Sequence, residues 1–158
     1  MRLVLILFYF INLNFSANIS KSEFYLYFKS NEKTSIQTGI RIVSNTPETN
    51  IRDAYLGVLI IKSAQYSNGI DRLKKFQYGK LLLEKAIEDD PLNIEFRFLR
   101  FVTQENCPIF LRYNNNLKED KQFILKRYKS LDLIVKQEIN LYSKESSLLS
   151  IEDLNSVK

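Results

Sequence analysis

The stretch that most constrains this chain is Asp90 to Tyr113, DPLNIEFRFLRFVTQENCPIFLRY, which carries Pro91 near its start and Pro108 near its end. Asp90 and Asn93 both suit a helix N-cap, so a helix is expected to start in this window. At 100° per residue, Ile94, Phe98, Phe101 and Val102 fall on one side, and Phe96 and Leu99 widen it. Asn106-Cys107-Pro108 ends the helix, because a residue before proline is pushed out of the α region. An apolar arc wider than half the circumference needs neighbours on several sides. The expectation is therefore an all-α fold with this helix at its centre.

Arg97, Arg100 and Gln104 share the narrow remaining strip. Glu95 and Glu105 fall inside the apolar arc. Glu95 sits in the first turn, where a carboxylate suits the positive end of the helix dipole. Glu105 sits in the last turn, where the dipole disfavours it, and a carboxylate in apolar surroundings is costly unless partnered. The expected partner is Arg112 or Tyr113, or else Glu105 caps the turn at Pro108. Glu95, Arg97, Arg100, Gln104, Glu105, Asn106 and Tyr113 thus form the candidate site. It is either a structural network cross-linking helices, the favoured reading, or a site for an anionic ligand. On the structural reading Glu105 matters most to stability, and Arg100, at the edge of the strip, matters much less.

The chain has 158 residues, enough for one domain with a real core and too few to expect two. Four glycines and three prolines suit long helices better than a sheet with many tight turns. The absence of His excludes Ser-His-Asp and Cys-His catalysis and the usual His-containing zinc sites. Cys107 is the one cysteine, so it has no internal disulfide partner; it reads as a small buried apolar residue, or as a reactive thiol if exposed. The formal charge of +5 is spread among acids, with its excess mainly between Arg97 and Lys129, and no basic block of nucleic-acid type appears. The paired acids Asp89-Asp90, Glu119-Asp120 and Glu152-Asp153 point about 100° apart on a helix, so each reads as a solvated face or a helix end rather than a catalytic dyad.

Met1-Arg2 precedes the apolar run Leu3 to Ile11, which weakens through Leu13 and Phe15 to Ser16-Ala17. This order predicts a signal peptide over residues 1–17, cleaved between 17 and 20, or an uncleaved anchor. The run is shorter than the ~20 apolar residues of a membrane span. The helical domain is expected over 18–145, and 146–158 as a terminal helix or frayed tail. Within the domain, Phe24, Tyr27 and Phe28, then Ile36, Ile40 and Val43, predict two short helices. Asn45 to Thr49 is a boundary, with Pro47 suited to a first helical position. Ala54 to about Tyr66 is a strongly apolar helix stopped at Ser67-Asn68-Gly69, where Asn68 or Gly69 can take the left-handed conformation. Asp71 to Asp89 is the longest pattern, with Leu73, Phe76, Gly79, Leu83, Ala86 and Ile87 inward. Pro108 to Tyr113 is a short turn or helix. Leu117 to Tyr128 follows as a helix with Phe123, Ile124 and Tyr128 inward, then Leu131 to Tyr142 with Leu133, Ile134, Ile139 and Leu141 on a broad apolar side, and the tail carries Leu148, Ile151 and Leu154. The count is six to eight helices, with no strand-like alternation.

Gly79, Leu83, Ala86 and Pro91 have the spacing of the small, large, small and proline positions in the second half of a tetratricopeptide repeat, with Leu56-Gly57 standing for the first half. The likeness implies antiparallel helix hairpins in a single irregular domain. The run from Asn93 to Arg100, with Gln104-Glu105-Asn106, Pro108, Phe110-Leu111, Tyr113-Asn114 and Glu119 to Ile124, resembles a family of small exported bacterial helical proteins of uncharacterised function. That resemblance implies export and a helical fold, and carries no activity.

The functional expectation is a non-catalytic module, periplasmic or secreted, that holds an unknown protein partner in the cell envelope. The alternative is a carrier of an apolar or anionic small molecule between aromatic-rich helices. An enzyme is the third reading, with Glu105 beside Tyr113 or an arginine as its acid-base group. No cofactor, metal or nucleic acid is expected, and membrane contact only if the leader is retained.

Overall fold

A computed structural model describes residues 19–157; the proposed leader over 1–17 lies outside them. Eight α-helices follow one another, with no strand among the described residues. They are α1 (Lys21–Lys29), α2 (Lys33–Ser44), α3 (Asn50–Ser63), α4 (Gly69–Asp89), α5 (Ile94–Glu105), α6 (Leu117–Arg127), α7 (Leu133–Tyr142) and α8 (Ile151–Asn155). Single 3-10 turns lie at Ala64–Tyr66, Ile109–Leu111 and Tyr128–Ser130.

Side-chain caps set several of the helix starts. Ser20, Thr49, Asn93 and Asp132 each accept a hydrogen bond from the third backbone N–H beyond them. Thr49 and not Pro47 opens α3: Pro47 lies in the preceding loop, because the threonine hydroxyl supplies the cap that proline lacks. Gly69 takes the left-handed backbone, with φ of +50°, where the chain reverses between α3 and α4.

Helices α3 and α4 form an antiparallel hairpin held by two glycines. A Cβ on Gly57 would lie 2.7 Å from the Gly79 carbonyl oxygen, and one on Gly79 would lie 2.4 Å from that of Gly57. Only hydrogen at both positions lets the backbones approach this closely. The inner face of α4 is Phe76, Gly79, Leu83, Ala86 and Ile87, as the pattern predicts; Leu73 is a correction, being exposed because at about 100° per residue it lies about 40° outside the arc those five span.

The core runs from this hairpin across α5 to the end of the chain. Phe24 of α1 stacks on Tyr55 of α3 with ring centres 3.6 Å apart. Phe96, Leu99 and Phe101 of α5 meet Ile124 of α6, Val135 and Ile139 of α7, and Leu149 and Leu154 of the last segment in the same buried cluster. Ion pairs Lys21–Asp132 and Lys29–Glu138 tie α1 to α7. Within the last segment, residues 151–155 form α8. A reciprocal Ser150–Asp153 capping box starts α8, and Lys121 pairs with Asp153 at 2.6 Å. Its buried residues are Leu149 and Leu154, whereas Leu148 and Ile151 are exposed. On α7, Leu133 and Leu141 are exposed against the pattern, because the buried face runs through Val135 and Ile139.

Candidate functional site

Asn93 caps α5 and Asn106 closes it, as the pattern predicts. The helix is enclosed almost all round, so its polar strip faces protein and not water. This corrects the reading of Arg100 as an edge residue: it is 4% exposed and Gln104 is 1% exposed. Arg100 donates from Nε and Nη2 to the two oxygens of Asp120, at 2.7 and 2.8 Å, and from Nη1 to Glu84 at 2.7 Å. Asp120 is fully buried and takes a third bond from Arg97 at 3.1 Å. Burial acts to lower the Arg100 pKa, but the Asp120 and Glu84 bonds and charges outweigh it and hold the guanidinium protonated. Arg97 also bridges to Glu119 and lies 5.0 Å over the Phe123 ring, which Arg127 covers from 3.9 Å. One turn on, the Gln104 amide bonds both the side chain and the backbone N–H of Asn116. Each side chain of the strip is therefore tied to the start of α6.

Glu105 has a different partner from either expected residue. Its carboxylate accepts hydrogen bonds from the hydroxyls of Tyr142, Ser146 and Ser147 and from the backbone N–H groups of Ser147 and Leu148. Burial acts to raise its pKa, yet the Ser146, Tyr142 and Ser147 bonds more than offset this and leave it below the ordinary value. The same burial and the neighbouring carboxylate push Tyr142 up. Asn106 joins the group, donating from its side chain to Val102 O and to the Tyr142 oxygen. Glu105 is thus the clamp on the chain after α7, and it does not meet Arg112 or Tyr113.

Glu95 is buried and does more than favour the helix dipole. The Tyr55 hydroxyl donates to it at 2.7 Å, and Lys21 lies 2.8 Å from its other oxygen. Tyr25 lies near the same carboxylate; burial first, then that charge, raises its pKa well above the usual range, although its hydroxyl makes no hydrogen bond of ordinary geometry. Glu95, the Arg97–Arg100–Gln104 strip and Glu105 therefore form three separate networks along one helix, not one site.

Tyr113 belongs to the strip through α4: its hydroxyl donates to Glu84, the carboxylate that also holds Arg100. Its ring packs edge-on against Phe76 with centres 5.8 Å apart, beneath Lys80 Nζ at 4.7 Å. Arg112 beside it has φ of +49°, an uncommon conformation for a non-glycine residue. That reversal turns Tyr113 inward while the turn before it stays out. Ile109 and Phe110 are consequently 85% and 77% exposed, the most exposed large apolar side chains described. Cys107, at the base of this tip, is half-buried rather than buried, and burial raises its thiol pKa, so it is neither a plain core residue nor an activated thiol.

Sequence reasoning missed Glu84 and Tyr142, and its reading of Glu119-Asp120 as a solvated face or a helix end is corrected for Asp120, which stands in the first turn of α6 but is fully buried against Arg97 and Arg100. The signal for Asp120 was present: at 100° per residue it falls on the same face of α6 as Leu117 and Ile124. A carboxylate there demands a cation, and α5 offers two.

Aromatic side chains pack on one another in the core, as in the Phe24–Tyr55 stack and the edge-on Phe98–Tyr142 pair. Two shallow hollows lie along α7, one of about 450 Å³ lined by Tyr128, Leu133 and Asn140 among others. No helix among the described residues is long and apolar enough to cross a membrane. Comparison with protein-family models, with curated proteins and with solved structures finds no match.

Proposed function

We propose that this protein is a non-catalytic helical module, acting outside the cytoplasm, that holds a partner protein through the Ile109–Phe110 tip. The observation that carries the reading is the tip itself. Two large apolar side chains are displayed side by side on a turn braced by Tyr113, with Lys80 over the Tyr113 ring and Arg112 next to it in the chain. Exposed aromatic and aliphatic anchors of this kind are what protein interfaces bury at their centres. The adjoining cations suit a hollow edged with carboxylates on the partner. A non-catalytic role fits the engagement of the buried acids Asp120 and Glu95 and of Glu105 by structural partners. Export rests on Arg2 and the apolar run after it, and the tetratricopeptide-like character of α3–α4 belongs to the same proposal. The carrier alternative is less favoured, since the aromatic rings that would line a chamber fill it with each other.

The test is affinity capture from envelope extract with the parent and with an Ile109→Ser/Phe110→Ser variant. A discrete protein retained by the parent and lost by the variant, with unchanged helical circular dichroism, is the expected result. Identical captures by both would overturn the assignment of the tip. A small molecule released stoichiometrically from gently purified protein, seen by mass spectrometry, would favour the carrier.

A further inference from the structure

We infer that the outer face of α4 is a self-association surface, on which two copies of this chain pack antiparallel about a two-fold axis through Leu81. The inner face of α4 is taken by α3, and its opposite face meets solvent. At 100° per residue, Ile70, Lys74, Gln77, Leu81, Lys85 and Glu88 lie within an arc of about 80°, and all six are exposed. Ile70 and Leu81 are 69% and 64% exposed, and Leu92, just past the helix, is 67% exposed. Among the described residues, Lys74, Lys85 and Glu88 enter no ion pair with the rest of the chain.

What selects a second copy as the occupant is the order of these residues. Lys74 stands seven positions before Leu81, and Glu88 seven positions after it. Ile70 stands eleven positions before, and Leu92 eleven after. A two-fold interface pairs residue i with j and j with i. With the axis at Leu81, the two leucines meet, Lys74 faces Glu88 twice, and Ile70 faces Leu92 twice. A parallel pairing would set Lys74 on Lys74 and Glu88 on Glu88. Sliding the axis between Gly79 and Lys80 would set Lys74 against Lys85. An axis between Ala86 and Ile87 would also pair Lys85 with Glu88 and Leu81 with Leu92, but it overlaps only residues 84–89 of the two helices, whereas the axis at Leu81 overlaps residues 73–89. Antiparallel pairing at Leu81 is therefore the complementary register that uses most of the helix. One helix on one helix is a small interface, so the dimer is weak and concentration-dependent. The surface is separate from the Ile109–Phe110 tip, and the inference stands or falls without it.

The test is sedimentation equilibrium of the protein as recovered from its producing cell, loaded from about 10 to about 500 µM, a range that brackets a weak dimer. The parent is expected to move from monomer mass toward twice that mass. Lys74→Glu sets two carboxylates against two others and is expected to weaken the dimer at least about tenfold. Glu88→Lys should do the same, and the Lys74→Glu/Glu88→Lys swap should restore association. A parent that stays monomeric throughout would overturn the inference. So would a dimer indifferent to Lys74→Glu, or a swap that fails to restore it.

Discussion

Replacing Asp120 with alanine removes the acceptor for three charged hydrogen bonds at once. Arg100 loses bonds of 2.7 and 2.8 Å and Arg97 loses one of 3.1 Å, while Arg100 keeps Glu84 and Arg97 keeps Glu119. The Arg100 side chain is 5% exposed and that of Asp120 not at all, so solvent does little to screen the stranded charge. Breaking a buried pair by deleting one member costs about 3–5 kcal/mol. The surviving Glu84 contact puts Asp120→Ala near the lower end, about 3 kcal/mol of a total of about 5–15 kcal/mol. At about 2–4 °C per kcal/mol for a chain of this size, the melting temperature should fall by roughly 10 °C. Urea unfolding followed by circular dichroism measures the loss directly. Arg100→Met/Asp120→Leu, which removes both charges and keeps apolar volume, should cost less than Asp120→Ala alone. An Asp120→Ala variant within about 1 kcal/mol of the parent would refute the reasoning, because a buried pair of this geometry cannot be that cheap to break. So would a double variant whose loss equals the sum of the singles.

Other consequences follow from the same geometry. Because the folded Glu105 pKa lies below its ordinary value, its contribution is complete above that value and is lost as pH falls through the lower folded one. The Ser147 and Leu148 amides, which bond its carboxylate, should lose hydrogen-exchange protection as the pH falls below the ordinary 4.5 and through the lower folded value, and Glu105→Gln should abolish this pH dependence. Protection in the parent that stays at its neutral-pH level until the whole chain unfolds in acid would contradict the clamp. Gly79→Ala gains about 1 kcal/mol of helix propensity, yet its Cβ would sit 2.4 Å from the Gly57 carbonyl oxygen, so a net loss of stability is expected in thermal melts. A variant as stable as the parent would mean that the α3–α4 contact is looser than described.

The helices and their order were legible because apolar residues recur at helical spacing and capping residues stand where the helices begin. Asn93 and Gly69 illustrate it: each was marked by residue type, and each takes the backbone that type favours. The candidate site was legible only in part. A polar strip on an otherwise apolar helix looks the same in sequence whether it meets water or a buried carboxylate. Spacing alone therefore puts Arg100 at an edge and offers Glu105 only the partners nearest in sequence. Its true partners, Tyr142 and the Ser146–Leu148 segment, lie about forty residues away and are brought in by the packing of α7 and by the turn leading to α8. No local pattern encodes that approach. The Ile109–Phe110 tip was hidden for another reason: a turn of three residues is too short for periodicity to say which side chains face out.

The central claim is that the tip is where a partner protein docks, and a photo-crosslinker placed there tests it most directly. Phe110→p-benzoylphenylalanine keeps an aromatic ring at the tip, and Gln122→p-benzoylphenylalanine puts the same probe on an exposed position of α6. After irradiation in the producing cell, the account predicts one discrete crosslinked protein from position 110 and none of that mass from position 122. No adduct from position 110, or the same adducts from both positions, would contradict it.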